Sequence, residues 1–205
     1  MKKKVLVFSV AMLLAFGFSS CSSDTEYEEI PPALEAQVSM SKYDSLVIEQ
    51  RELITDFCIE SLESNKTRVS SSSSYLTLKD ELLPSAVEFT RELGMTDKDM
   101  EDILGVKIVT QEDRDDAMIG ILMFSTVADY SNSNTALTRG GSFGDCFSQA
   151  TGIAAGVALV GGLAKGTMTK AMIMSVVKLA ARVGGRAISG VGLALVAAEI
   201  AWCMW

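Results

Sequence analysis

The last 64 residues, Ser142–Trp205, read SFGDCFSQATGIAAGVALVGGLAKGTMTKAMIMSVVKLAARVGGRAISGVGLALVAAEIAWCMW. This C-terminal region contains five basic and two acidic residues, a net charge of +3, and it is rich in glycine and alanine. The preceding stretch, Ser22–Gly141, contains ten basic and 24 acidic residues, a net charge of −14. An acidic stretch joined to a basic, weakly charged one is not the pattern of a single ordinary globular domain. The sequence therefore predicts two regions with different roles.

Three apolar stretches make up the C-terminal region: Cys146–Ala164, Thr167–Arg182 and Ala187–Trp205. The first contains 19 residues without a charge, which as one α-helix would be about 28 Å long, close to the thickness of a bilayer core. We predict a helical hairpin or a three-helix unit. Two interpretations of it stay open, a membrane-active segment and a buried hairpin whose small residues allow tight packing.

The rest of the mature chain has helical periodicity, so we predict an all-α fold. Predicted helices cover Ala33–Ser64, Leu78–Leu93, a short segment capped by Thr96 that ends at Gly105, and Gln111–Tyr130, with a brief strand at Val106–Thr110. The predicted organisation is a signal peptide (1–20), an acidic tether (21–32), an acidic helical region (33–130, hereafter the acidic region), a cleavable linker (131–141) and the C-terminal region (142–205).

The N-terminus has the pattern of an export signal. Lys2, Lys3 and Lys4 precede an apolar core, Val5–Phe18. Phe18-Ser19-Ser20-Cys21 resembles a lipobox, in which the cysteine receives acyl chains such as palmitate. The alternative is an ordinary signal peptide in which Cys21 is incidental. Acidic residues directly after Cys21 resemble the surface-export signal of Bacteroidota lipoproteins. We therefore predict an exported protein on the outer membrane or cell surface.

Export places the cysteines in an oxidising compartment. Apart from Cys21, the chain contains Cys58, Cys146 and Cys203. A Cys146–Cys203 disulfide would enclose almost the whole C-terminal region and would contribute about 4 kcal/mol on the chain-entropy model. A Cys58–Cys146 disulfide would instead tie the acidic region to the C-terminal region after any cut between them. The sequence favours the first pairing and leaves the second open.

The composition excludes several kinds of chemistry. The chain has no histidine, no CxxC pair and no phosphate-binding glycine fingerprint. The carboxylates around Glu112–Asp116 lack the spacing of a calcium loop, and no aromatic residues are interleaved with a basic patch as nucleic-acid binding would require. We predict no enzyme activity, no catalytic residue, no metal site, no cofactor and no nucleic-acid partner.

Two arginines lie in loops of small polar residues, where backbone is open to proteases. Arg139 precedes Gly140 at the change in composition, and Arg68 precedes Val69 next to a serine run. The alternative is that two loop arginines are unremarkable. Residues suited to an anionic membrane surface follow in the C-terminal region: Lys165, Lys170, Lys178, Arg182, Arg186, Trp202 and Trp205.

Taken together, the lipoprotein-type signal, the acidic helical region, Arg139 in an open loop and the basic, glycine-rich C-terminal region resemble a bacteriocin precursor. The likeness is to the proteolytically activated antibacterial lipoprotein toxins of Bacteroidota, which are cut after arginine by a clostripain-like protease. The resemblance implies lipidation at Cys21, cleavage after Arg139 and at Arg68–Val69, secretion of the released part and action on the membrane of related bacteria. It also implies an unknown surface receptor and leaves room for a homo-oligomer in the membrane.

Two other functions remain compatible with the sequence. One is a non-enzymatic surface lipoprotein that serves as an interaction module. The other is an immunity lipoprotein whose C-terminal region spans the membrane permanently.

Overall fold

The computed structural model describes residues 36–63, 71–133, 141–152, 166–183 and 189–205. These segments contain eight α-helices and two three-residue strands, so the predicted all-α class is confirmed. In chain order they are β1 (Gln37–Ser39), α1 (Asp44–Glu49), α2 (Arg51–Glu63), α3 (Ser73–Glu92), α4 (Asp97–Leu104), α5 (Gln111–Ser133), α6 (Phe143–Thr151), β2 (Thr167–Thr169), α7 (Lys170–Val183) and α8 (Gly190–Met204).

Two helices of the acidic region match their predicted positions closely. Helix α4 begins after Thr96, whose hydroxyl accepts from the Asp99 backbone while the Asp99 side chain accepts from the Thr96 backbone. It ends at Gly105, which has a φ of +74° in the left-handed region that glycine adopts without strain. Helix α5 carries acidic residues in its first turn, where they interact favourably with the helix dipole.

The single helix predicted for Ala33–Ser64 is wrong. The described part of this segment forms β1, a short 3₁₀ turn (Met40–Lys42), α1 and α2. The backbone of β1 is extended because it pairs antiparallel with β2 of the C-terminal region, with Val38 opposite Met168. Both of these side chains are buried. A pairing between residues about 130 positions apart leaves no local signal in the sequence.

Helix α3 begins earlier than predicted and continues through Pro84. Ser72 caps it by accepting a 3.2 Å hydrogen bond from the backbone N–H of Tyr75. A proline inside a helix costs about 3 kcal/mol. That cost is offset by a buried face on both sides of the proline, formed by Tyr75, Leu78, Leu82, Ala86 and Phe89.

Two further predictions about secondary structure are wrong. Val106–Thr110 is not a strand, because carboxylates take up its backbone donors: Ile108 N–H donates to Glu101 over 2.9 Å and Thr110 N–H donates to Asp113 over 2.9 Å. The apolar stretch Cys146–Ala164 is not one helix. Helix α6 ends at Thr151 and Gly152 closes it with a φ of +78°. Residues 153–165 lie outside the described part of the chain.

The core is shared by the acidic region and the C-terminal region. All described residues belong to one compact unit, Glu35–Trp205. Helix α8 lies inside it and packs against α5, α2, α6 and α7, while α5 also packs against α3. The two stretches of opposite charge are therefore not separate bodies in the described structure.

The closest approach in this core is between the backbones of α5 and α8. Gly190 begins α8 directly against the backbone of Asp116 and Ala117. Gly120, one turn further along α5, faces the carbonyl oxygen of Gly190 and lies beside Leu193. A methyl group added to either glycine would overlap backbone atoms of the other helix. The absence of two side chains thus fixes the spacing of the two central helices.

Replacing Gly190 with alanine should therefore destabilise the protein, although alanine is the better helix former. The added methyl group meets backbone, which cannot rotate away, so we expect a loss of about 3 kcal/mol in the free energy of unfolding. Urea denaturation followed by circular dichroism measures it. Ser45→Ala, at an exposed position of α1, is the control. Equal stability of Gly190→Ala and the parent would contradict the close packing of α5 and α8.

Candidate functional site: the interface between the acidic region and the C-terminal region

Helix α8 forms the central part of this interface. Apart from Glu199 its residues are apolar around the whole circumference, and twelve of its fifteen residues are buried. A helix without a polar face needs an apolar environment around its whole circumference, which is either a protein core or a lipid bilayer. In this chain, helices α2 and α5 of the acidic region supply much of that environment.

An aromatic cluster joins the middle of α5 to α6. Phe124 of the acidic region meets Phe143 and Phe147 of the C-terminal region edge-on, with ring centroids 6.3 and 6.2 Å apart. Phe143 and Phe147 stack on each other at 5.9 Å. All three rings are buried. Each edge-on aromatic pair contributes about 1 kcal/mol beyond the free energy gained by burying its surface. The cluster therefore stabilises the contact between α5, which precedes residues 134–140, and α6, which follows them.

Gly166 is held from two directions. Its N–H donates a 3.0 Å hydrogen bond to the Asp129 carboxylate of α5. Its carbonyl oxygen accepts a 2.9 Å hydrogen bond from the backbone N–H of Met40. Strand β2 begins at the next residue and pairs with β1. The acidic region therefore fixes the chain at Gly166, directly before β2.

One salt bridge crosses the interface at the other end of β2. The Lys170 ammonium lies 2.6 Å from an Asp99 carboxylate oxygen and also donates to the Gly94 carbonyl oxygen over 3.2 Å. Burial alone would raise the pKa of Asp99, but hydrogen bonds from Lys170 and Thr96 outweigh it and lower that pKa to about 2. Asp99 is thus charged over the whole physiological range, and Lys170 is the cation that it faces.

The structure pairs Cys146 with Cys203, which is the pairing that the sequence favoured. Their Cα atoms are 5.6 Å apart, and the bridge ties the first turn of α6 to the last turn of α8. Cys58 of α2 is buried near this disulfide. All three cysteines line one cavity of about 160 Å³. The remaining lining residues are Leu62, Gln149, Ala150, Glu199 and Trp202.

Predicted membrane-binding residues fall into three groups. Lys170 and Trp205 contact the acidic region, Trp205 through the Arg51 guanidinium 4.9 Å from its ring centre. Trp202 is 49% exposed at the mouth of the cysteine-lined cavity, and Lys178 is partly buried on α7. The side chain of Arg182 and residues Lys165 and Arg186 lie outside the described part of the chain. The described residues of this set do not converge on one basic face.

The predicted lipidation and cleavage sites are not among the described residues. Cys21, Arg68, Val69, Arg139 and Gly140 all lie outside the described residues. Helix α5 ends at Ser133, and α6 begins after its capping residue Ser142. The predicted cut at Arg139–Gly140 therefore falls between two elements that pack on the same core.

Several interface residues were missed in the sequence. Asp129 is the most informative, because it is a charged residue at the end of an apolar helical run and is fully buried. Buried carboxylates are rare without a partner, so its position could have indicated a polar contact. Gly120 interrupts the same apolar run, and a glycine inside a helix often marks close packing.

Two negative findings complete the description. No group of three or more side chains that could hold a metal ion occurs among the described residues. In the same segments, none of the helices combines the length and the hydropathy that crossing a membrane requires.

Removing the Lys170 ammonium should weaken the interface in a pH-dependent way. Lys170→Met should lower the free energy of unfolding by about 1 kcal/mol at neutral pH. Because the folded-state pKa of Asp99 lies below its unfolded value of about 3.9, this contribution is complete above about pH 4 and is lost as the pH falls towards 2. Urea titrations at pH 7, 4 and 2.5 measure it. Lys178→Met, on the same helix, is the control, and equal losses in both variants would contradict the assignment.

The disulfide gives a second prediction for this interface. Peptide mapping under non-reducing conditions should recover the peptides of Cys146 and Cys203 as one species. Replacing both cysteines with serine should lower the free energy of unfolding by about 4 kcal/mol, because the bridge closes a loop of 57 residues. Cys58→Ser should leave the mapped pairing unchanged. Recovery of a Cys58–Cys146 species as the main product would contradict the structure.

No family model, no curated protein and no solved structure matches this chain. The feature that bears on function is the interface itself, in which an apolar helix of the C-terminal region is enclosed by helices of the acidic region.

Proposed function

We propose that this protein is the precursor of a secreted antibacterial toxin. The acidic region shields the C-terminal region until an arginine-specific protease cuts the linker after Arg139. The separated C-terminal region then acts on the envelope membrane of related bacteria. No step of this function requires an enzymatic activity of the chain itself.

One observation carries the proposal: the enclosed, all-round apolar helix α8. Once α8 is separated from α2 and α5, its buried faces would contact water, at a cost of roughly 25 cal/mol for each Å² exposed. A lipid bilayer is the apolar environment available to an exported protein. Separation of the two regions therefore converts a stable core helix into a membrane-seeking one.

The shielding is mainly steric. The contacts described above are core packing, a two-stranded sheet and a close approach of backbones, and the Lys170–Asp99 pair adds one charged contact. The net charges of −14 and +3 also oppose attraction to anionic lipid, but salt screens such long-range effects over about 10 Å. Enclosure of α8 does not depend on ionic strength.

Cleavage alone would not separate the two regions. After a cut at Arg139–Gly140, the Gly120–Gly190 contact, the sheet and the phenylalanine cluster would all remain. The nicked protein is therefore expected to persist as a non-covalent complex. We infer that the target surface, through its lipid or a receptor, supplies the free energy that draws the C-terminal region out.

Lipidation at Cys21 would keep the acidic region on the producing cell. An acylated N-terminus and a nicked linker together would leave the acidic region anchored, while the C-terminal region is free to move to another cell. The disulfide Cys146–Cys203 lies entirely within the C-terminal region, so it does not oppose this transfer.

A second function is favoured by the shared core. Because the described residues form one compact unit, the whole chain could act without cleavage as a surface lipoprotein that binds a partner. In that case the glycine contacts and the disulfide serve only the stability of an interaction module. Cleavage would then remove function rather than create it.

A dye-release experiment separates the two functions. The purified chain, nicked with a clostripain-like protease, should release dye from phosphatidylglycerol vesicles at least about tenfold faster than the uncut chain. Arg139→Ala should abolish this gain, whereas Arg68→Ala should retain it. Mass spectrometry confirms the cut in each sample.

The same assay can overturn the proposal. A synthetic peptide of residues 140–205 with its disulfide formed needs neither cleavage of the linker nor separation from the acidic region. It should therefore release dye without protease. If neither this peptide nor the nicked chain releases dye, the interaction module becomes the better-supported function. Full activity of uncut Arg139→Ala would refute the release step.

A further inference from the structure

Two carboxyl groups meet inside the interface, where charge is costly. Asp129 of α5 is fully buried, and the half-buried Asp44 of α1 lies close enough for the two carboxyl groups to interact. One oxygen of each group, Asp44 Oδ1 and Asp129 Oδ2, is buried and has no hydrogen-bond partner in the described segments. Two adjacent carboxylates cannot both stay charged in such a place without a large penalty. A single shared proton satisfies both orphan oxygens.

The other oxygen of Asp129 holds the C-terminal region. Asp129 Oδ1 accepts from Gly166 N–H over 3.0 Å, and Gly166 in turn accepts from Met40 N–H over 2.9 Å. Met40 follows β1, and Gly166 precedes β2. The carboxyl pair is therefore connected through Gly166 to the residues that directly adjoin the paired strands β1 and β2.

We propose that Asp44 and Asp129 form a pH-sensitive latch, which holds Gly166 and β2 against the acidic region while the pair keeps its proton and loosens them once the proton is lost. Deprotonation leaves two neighbouring negative charges at the edge of the core, one on the buried Asp129 and one on the half-buried Asp44. The repulsion is relieved by moving α1 away from α5, and this movement disturbs Met40 and Gly166 together.

The electrostatics give the working range of the latch. Burial raises the pKa of the Asp44 carboxyl to about 7, with the Asp129 charge and the hydrogen bond between the two groups as further causes. The unfolded value is about 3.9. Because the folded-state pKa is raised, the stabilisation is complete below about pH 4 and is lost as the pH rises through about 7. The latch thus closes in mildly acidic surroundings and opens in mildly alkaline ones.

Other charged groups near the pair are engaged elsewhere. Asp129 is the charged group that acts on Asp44. Lys42, two positions before Asp44, binds Glu88 and Glu92, and the Tyr43 hydroxyl donates to Glu92. Charged groups on the elements packed on α1 and α5 have these contacts: Arg51 of α2 with Trp205, Lys79 of α3 with Asp116, Asp97 of α4 with Arg114, Asp145 of α6 with Ser142 and Lys170 of α7 with Asp99, while Glu199 of α8 lines the cavity that the cysteines share.

The link to release rests on the proposed function. If the C-terminal region must leave a nicked complex, the latch sets the pH at which it leaves most readily. Separation would be slow near pH 6 and faster above pH 7.5. The latch itself is a property of the uncut chain and can be measured there.

The test uses amide exchange and chemical shift of Gly166 in the intact protein, followed by NMR between pH 5 and 8.5. In the parent, the Gly166 amide should titrate near pH 7, and its opening, corrected for the intrinsic pH dependence of exchange, should increase about tenfold. Asp44→Asn and Asp129→Asn each place an amide where it can donate to the remaining carboxylate, so both should abolish the titration. Glu49→Gln, at an exposed position of α1, should leave it unchanged.

Two results would overturn the latch. One is a Gly166 amide that shows no titration between pH 5 and 8.5 in the parent. The other is an unchanged titration in both asparagine variants. Neither outcome depends on vesicle leakage, so failure of the latch and failure of the toxin function are distinguishable. If the latch exists but nicked protein releases dye equally at pH 6 and pH 8, the latch does not regulate release.

Discussion

The described structure depends on the contact between α5 and α8, where Gly120 and Gly190 let two helix backbones approach without intervening side chains. This spacing brings α8 deep enough to be covered by α2, α6 and α7 as well. The aromatic cluster at Phe124 and the Gly166 anchor at Asp129 add further contacts between α5 and the C-terminal region. A protein in which these two helices stood further apart would expose α8, the most apolar of the described helices.

The sequence predicted what depends on neighbouring residues and failed where distant ones decide. The cap at Thr96, the stop at Gly105 and the helix from Gln111 follow from local chemistry, and the structure has all three. The segment Gln37–Ser39 became a strand only because Thr167–Thr169 pairs with it. Pro84 lies inside α3 because the helix buries apolar side chains on both sides of it. Such long-range compensation cannot be inferred from a window of adjacent residues.

The same difference between local and long-range signals applies to the interface between the two regions. The two bracketing cysteines indicated the disulfide, whereas the boundary drawn from the contrast in charge and composition stays a prediction. The contrast did not show that the two regions share a core, because a glycine- and alanine-rich segment is as suitable for tight packing as for insertion into lipid. Only the contacts of α8 distinguish these roles for the intact chain. Our proposal reconciles them by assigning packing to the uncut protein and lipid contact to the separated C-terminal region.

The Cys146–Cys203 bridge has a topological consequence. It joins the start of α6 to the end of α8, so the two ends of the C-terminal region are covalently held at one point. A polypeptide closed in this way forms a ring, and a ring that enters a bilayer must return to the leaflet from which it started. Any arrangement of the oxidised fragment in lipid would therefore cross the bilayer an even number of times between the two cysteines, and both tryptophans, Trp202 and Trp205, would stay close to the point where the ring is closed.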